Sequence, residues 1–171
     1  MAYLLDADSM IAAKRLHYGF DFCPAYWDWI VREHGAGCVF SIEKVGDDLA
    51  AGADELSEWA ENLGSSFFLK PDAATVQALG TVSSWVASNG YEPAAVNTFL
   101  GVSDSYLAAQ ALAGGHTVVT HEKTAQSVKR IKIPNVCIGL GIKVMSPFEM
   151  LRVERARFVL EALGNESEVE A

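Results

Sequence analysis

Along this chain, short apolar runs alternate with longer stretches in which apolar residues recur every three or four positions. The runs "YLLD" (3–6), "CVFS" (38–41), "TVVT" (117–120) and "VCIGL" (136–140) have strand length and composition, and "SSFFL" (65–69) is a weaker instance. The helical period predicts helices over Ser9–Arg15, Pro24–Glu33, Ile42–Ala51, Asp54–Asn62, Asp72–Ser88, Ser103–Ala113 and Pro147–Leu163. The last has the clearest start, because Ser146-Pro147-Phe148-Glu149 joins an N-cap serine, a first-turn proline and a capping-box glutamate. Strand-length runs separated by helices predict an α/β fold: a mainly parallel central sheet of about four to five strands, flanked by helices. No internal repeat, low-complexity tract or linker interrupts the pattern.

With 171 residues, half of them hydrophobic, the chain suits a single domain. That domain is expected over residues 1–163, followed by an acidic, solvated tail over 164–171. No apolar run approaches the roughly 18–20 residues that cross a bilayer. The N-terminus also lacks a basic stretch followed by an apolar core and cleavage site, so the expected location is the cytoplasm, with no membrane partner. Cys23, Cys38 and Cys137 form no C-x-x-C pair, and His17, His34, His116 and His121 show no H-x-x-x-H spacing. Both facts argue against zinc, and the cysteines also against a disulfide framework. The net charge of −9 argues against casual adhesion to nucleic acid. It is unevenly spread, however. Between Val45 and His121 the one Lys or Arg is Lys70, whereas Lys123, Lys129, Arg130, Lys132, Lys143, Arg152, Arg155 and Arg157 crowd the last third. That segment can hold a polyanion while acids elsewhere hold a cation.

In folds of this kind, ligands gather beyond the carboxyl ends of the strands. Asp6 closes the first apolar run, with Asp8 two residues on, and Thr120-His121-Glu122 repeats the pattern after "TVV". Two further acids stand out at about 100° per residue on helices. In Ile42–Ala51, with Ile42, Val45 and Leu49 as the core stripe, Asp48 falls about 90° from the stripe and can face a site, while Asp47 faces water. A surface pair with Lys44 is the plainer reading of Asp48. In Ser103–Ala113, Asp104 lies near the middle of the stripe set by Leu107, Ala108, Ala111 and Leu112. A carboxylate there needs a cation, a proton or backbone amides, and a first-turn aspartate also gains from the helix dipole.

Asp6, Asp48, Asp104 and Glu122 are thus placed where one edge of the sheet can collect them. Carboxylates a few ångströms apart either share protons or bind a divalent cation, and all-oxygen donors select Mg²⁺ or Mn²⁺ over zinc. Such a site suits phosphodiester hydrolysis. Asp6 is the expected central ligand, with Asp104 on the same ion, and Asp48 and Glu122 complete the set. Thr120 positions a carboxylate or phosphate through its hydroxyl.

Here the residues carry a resemblance. "LLDADSMI", Asp48-Leu49 after "CVFSI", "SDSYLAAQALAGG" and "VVTHE" follow in the order of PIN-domain nucleases, and the set resembles the VapC-like toxin group. The stretches "HYGFDFCPAYWDWI", "HTVVTHEK", "KIPNVC" and "FEMLR" are similar to one bacterial branch of it, catalogued as a domain of unknown function. The resemblance implies a Mg²⁺- or Mn²⁺-dependent endoribonuclease that leaves a 5′-phosphate and a 3′-hydroxyl. It also implies a protein that is often dimeric and silenced by a cognate antitoxin, with Asp6, Asp48, Asp104 and Glu122 as catalytic acids. Asp8 stands for the customary asparagine, Asp48 for glutamate and Glu122 for the commoner aspartate. Each keeps an oxygen ligand while changing reach or charge.

The dense aromatics from Tyr18 to Trp29 can stack unpaired bases or, more simply, anchor an extra helical layer or a partner surface. Lys123, Lys129, Arg130 and Lys132 are the candidates for tracking RNA phosphates. Two rival readings remain. In a haloacid-dehalogenase-like phosphatase Asp6 would be the nucleophile, but that family's threonine and lysine precede its late acidic motif, whereas Thr120 and Lys123 follow Asp104. The other rival is a non-catalytic RNA- or antitoxin-binding module.

Overall fold

Five short strands, β1 (Tyr3–Leu5), β2 (Val39–Ile42), β3 (Phe68–Leu69), β4 (Thr117–Val119) and β5 (Val144–Met145), pair in parallel throughout, in the order β3-β2-β1-β4-β5. This computed structural model describes residues 1–160. Leu4 lies in register with Phe40 on one side and Val118 on the other. Leu4, Leu5, Val39, Val118 and Val119 are fully buried, as expected of a sheet covered on both faces.

Parallel neighbours cannot be joined by tight turns, so helices make every crossover. After β1 come α1 (Ala7–Ala12), a π-helical turn (Ala13–His17) and α2 (Pro24–Gly35); after β2 come α3 (Glu43–Ala50) and α4 (Glu55–Leu63). Between β3 and β4 lie α5 (Ala73–Ser88), α6 (Pro93–Leu100) and α7 (Ser103–Gly114). Helix α8 (Ile133–Gly139) joins β4 to β5, and α9 (Pro147–Val153) follows. Local chemistry starts these helices. Asp54 and Ser146 close capping boxes with Ser57 and Glu149, the Asp72 side chain accepts from Thr75 N–H, and Pro24, Pro93, Pro134 and Pro147 sit in first turns. Gly115, left-handed at φ 65°, ends α7 and turns the chain into β4.

Helix α7 is buried continuously from Leu107 to Ala111, not along one stripe. Its alanines allow close packing between α5 and the sheet, and Gln110 Nε2 donates to the Leu69 carbonyl at 3.2 Å. Because α7 runs back against β4, its first turn, with Asp104, lies toward the carboxyl ends of the strands.

The sequence pattern went astray in three places. "VCIGL", expected as a strand, is the body of α8: Pro134 in the first turn presets helical φ, and the strand beside β4 is the shorter Val144–Met145. Helix α6 was not anticipated, although Glu92-Pro93 is a helix start. The last helix was expected to run to Leu163, but it ends at Val153; the end of that range and the acidic tail 164–171 lie outside the described residues. Among the described residues, no helix is long and apolar enough to cross a membrane.

The docking of α8 on α5 supplies a test. A Cβ on Gly139 would stand 2.1 Å from Trp85 Cζ2, closer than any side chain tolerates. Gly139→Ala is expected to lower stability by about 1–3 kcal/mol, read as an earlier midpoint in urea unfolding with an unchanged slope.

Candidate active site

In the strand order β3-β2-β1-β4-β5, the chain moves outward one way from β1 through β2 to β3, then returns to place β4 on the other side. The crevice at the carboxyl ends of β1 and β4 is therefore the topological switch point of the sheet. Asp6 leaves β1 there and Thr120 leaves β4 there. The backbone ties the end of β1 to β4, with Asp6 N–H donating to Val119 O at 3.1 Å, and the end of β4 to β5, with Thr120 N–H donating to Met145 O at 3.0 Å.

Asp6 is 3% exposed and is the N-cap of α1, its Oδ1 accepting the Ser9 N–H at 2.7 Å. The plain capping role and the chemical role thus fall on one side chain. Burial pushes its carboxyl up to about 6, against the opposing pull of the Ser9 and Thr120 hydroxyls and the Ser9 amide. Thr120 Oγ1 also accepts the Glu122 N–H at 3.0 Å, so this buried hydroxyl links Asp6 to the Glu122 loop.

Asp104, half-buried in the first turn of α7, is raised further, to about 7. Burial is the larger cause, followed by the negative charges of Asp6, Glu122, Asp8 and Asp48 in that order. The ion pairs among the described residues are Lys14–Asp54, Arg32–Glu33 and Lys132–Glu122, none of which reaches Asp104. Exposed Asp48 does not pair with Lys44, whose ammonium lies 5.2 Å from the centroid of the Tyr106 ring. Asp47, also exposed, faces a separate groove between α3 and α4.

Glu122 is engaged rather than free. Its Oε1 accepts Lys132 Nζ at 2.6 Å and its Oε2 the Ile133 N–H at 3.2 Å, which anchors the start of α8. Beside this pair opens a cavity of about 300 Å³ in which Asp104 and Glu122 face Lys129 and Arg130, with Ala94, Thr98 and Phe99 of α6 as a wall. Lys123 is exposed on the same loop.

The structure thus brings the charges of Asp6, Asp8, Asp48, Asp104 and Glu122 to bear on one place. It does not preassemble them: among the described residues, no three His, Cys, Asp or Glu side chains stand close enough together to hold a metal ion. The two observations differ in range, since repulsion acts over distances well beyond a metal–oxygen bond. By donor chemistry, Asp6 and Asp104 fit a hard divalent cation. Glu122 already gives one acceptor site on each oxygen to Lys132 and the Ile133 amide.

Sequence reasoning missed the α6 wall and two residues at the rim, His17 and His121. The rings of His17, His121 and Phe148 stand 5.1–5.3 Å apart, centroid to centroid. Burial and then His17 hold the His121 imidazole below its ordinary range, against the pull of Asp8. No histidine spacing betrays this pair, which forms only through the fold. The expected aromatic run is mostly core, with Tyr26, Trp27 and Trp29 buried and Phe22 exposed.

A five-stranded parallel sheet in this order, with acids at its carboxyl edge, is a PIN-like α/β domain. Solved structures of the same fold include VapBC2 from Rickettsia felis bound to a DNA fragment from their promoter, with TM-score 0.53 and 15% identity over 85% of this chain and 98% of that one. FitAB bound to an IR36 DNA fragment gives TM-score 0.54 and 18% identity over 85% and 95%. FitAcB from Neisseria gonorrhoeae gives 0.50 and 18% over 85% and 98%. At these identities the likeness is one of fold. No curated protein matches the sequence. Residues 3–158 match the family described as "Domain of unknown function (DUF4411)", and the chain belongs to that family.

The raised carboxyls make a signed prediction about pH. Asp104 binds its proton more tightly folded than unfolded, so its stabilising contribution is complete below about pH 4 and is lost as the pH rises through about 7. With divalent ions chelated, Asp104→Asn should therefore gain on the wild type as the pH rises. The gain should reach on the order of 1–3 kcal/mol by pH 8 and vanish near pH 4, measured as the difference in urea midpoints.

Proposed function

We propose that this chain is a Mg²⁺- or Mn²⁺-dependent endoribonuclease and the toxin of a toxin–antitoxin pair. The observation that carries the reading is Asp104, a half-buried carboxyl without a cationic partner among the described residues, raised first by burial and then by four other acids from three other parts of the chain. Only a proton or a cation relieves that repulsion, and the oxygen-only donors favour a hard ion. Asp6 and Asp104 would hold the ion, with Asp48 and Glu122 around them. When bound, the ion would lower the pKa of a water and offset charge on the phosphoryl oxygens.

The chain's own groups do the rest. The Ser9 amide and the Thr120 hydroxyl hold the Asp6 carboxyl in one orientation at the strand end. Lys129 and Arg130 line the same cavity as Asp104 and can seat the phosphates of an RNA strand. Lys132, held by Glu122, adds a third positive charge, and exposed Lys123 extends the track. The neighbours VapBC2 and FitAB are complexes of two proteins bound to DNA fragments, which supports an antitoxin partner here. A homodimer is part of the same proposal.

One observation favours the non-catalytic alternative, namely the Lys132–Glu122 pair at 2.6 Å, which occupies an acid that the nuclease would use. One experiment separates the readings. Purified, antitoxin-free protein is incubated with labelled total RNA and Mn²⁺, beside a phosphatase substrate and a chelator control. The nuclease reading expects chelator-sensitive RNA fragments, with cleavage reduced on the order of 10²-fold or more in Asp6→Asn. Intact RNA, no Mn²⁺ binding by calorimetry at millimolar concentration, and unchanged cell growth on expression would leave only a binding module. Released phosphate without RNA fragments would point to a phosphatase.

A further inference from the structure

Beside the acids, three rings from three separate parts of the chain meet at the rim of the crevice. His17 ends the π-helical turn, His121 lies between Thr120 and Glu122, and Phe148 lies in the first turn of α9. Their centroids are 5.3 Å apart for His17–His121, 5.1 Å for His17–Phe148 and 5.3 Å for His121–Phe148, and the rings meet at 42°, 78° and 64°, so they form a tilted, edge-to-face cluster with its remaining ring faces turned outward. All three stay partly open to solvent, Phe148 by 37%. The hydrogen-bonded histidines among the described residues are His34 and His116, so the imidazoles at the rim are held by ring packing and not by hydrogen bonds there.

The π turn is what delivers His17. Its 2.6 Å bond from Tyr18 N–H to Ala13 O closes over five residues instead of four, which rotates the end of the helix relative to an ordinary α-helical register. The same helix starts at Asp6, so the acid and the ring are rigidly connected. The Asp8 charge acts on His121, which sets the ring cluster beside the acidic side of the crevice. Lys129 and Arg130 line the cavity that Asp104 and Glu122 share and supply its positive charge.

We propose that the tilted ring cluster of His17, His121 and Phe148 offers an outward ring face on which an unpaired nucleobase stacks, next to the phosphate presented to Asp6 and Asp104. Flat π-faces bind bases largely without regard to sequence, and a base can reach them only when it is out of a duplex. This inference rests on the nuclease reading and adds a base-binding subsite to it.

The test measures binding apart from cleavage. Fluorescence anisotropy compares a labelled 12-nucleotide oligoadenylate with a 12-unit ribose-phosphate strand lacking bases, both with Ca²⁺ in place of Mn²⁺. Full-length wild type should prefer the base-carrying strand by about tenfold or more. His17→Gln with His121→Gln should lose most of that preference while still binding the base-free strand as the wild type does. His17→Phe with His121→Phe, which restores flat rings, should keep it, and circular dichroism verifies that both pairs fold. Equal binding of the two strands by wild type, a preference that survives the glutamine pair, or no binding of either strand overturns the platform. The total-RNA cleavage assay with Asp6→Asn reads the nuclease reading separately, so cleavage that depends on Asp6 without base preference sinks only the platform.

Discussion

Every strand of this sheet runs the same way, and that constraint governs the rest of the molecule. A parallel neighbour has to be reached by a crossover, so the chain alternates short strands with helices. All five strand ends that can carry chemistry come to one edge. With β1 in the middle and β4 added on the side opposite β2, that edge contains a switch point. Asp6 and Thr120 stand at it because each follows the last residue of its strand. The return of α7 against β4 adds Asp104 to the same edge without any sequence proximity to Asp6.

The cost of this convergence is electrostatic. Asp6 is buried and Asp104 half-buried, and each is raised above the ordinary carboxylate range chiefly by loss of water. The fold softens the penalty at Asp6 by giving it a second task, since a carboxylate that caps α1 gains an amide donor and the helix dipole. Asp104 has the first-turn position but no cap bond, and it stays the higher of the two. Raised carboxyls gathered at one edge of an otherwise largely apolar core are the pattern that functional sites tend to show. Buried Cys137, its thiol pushed up to about 12 mainly by burial, is inert beside it.

Glu122 and the basic segment show how the same charges serve structure. Lys132 and the Ile133 amide both bind Glu122, so the acid that follows β4 also fastens the start of α8. The neighbouring Lys129 and Arg130 have no such duty and remain on the cavity wall. A similar division runs through the aromatics: Tyr18 stacks on Tyr26 and Phe20 on Trp27 as parts of the core. His17, by contrast, meets His121 and Phe148.

Much of this was legible in the residues, and the failures have physical causes. Strands β1, β2 and β4 announce themselves as apolar runs between helical stretches, and Asp6, Thr120 and Glu122 can be placed at their ends by counting. "VCIGL" misled because a short apolar run is the same signal in a buried strand and in a buried helix, and Pro134 was the residue that distinguished them. The single stripe assigned to α7 was too narrow, because a helix wedged between another helix and the sheet has little free face. Linear order by itself determined the alternating architecture and which acids leave strands, since both depend on contacts between near neighbours along the chain. Which of those acids feel one another, that Glu122 is already paired, and that two distant histidines share a rim were decided only by tertiary packing. Coulomb forces and ring contacts depend on distance in space, and the sequence contains no measure of that distance until the crossovers have closed.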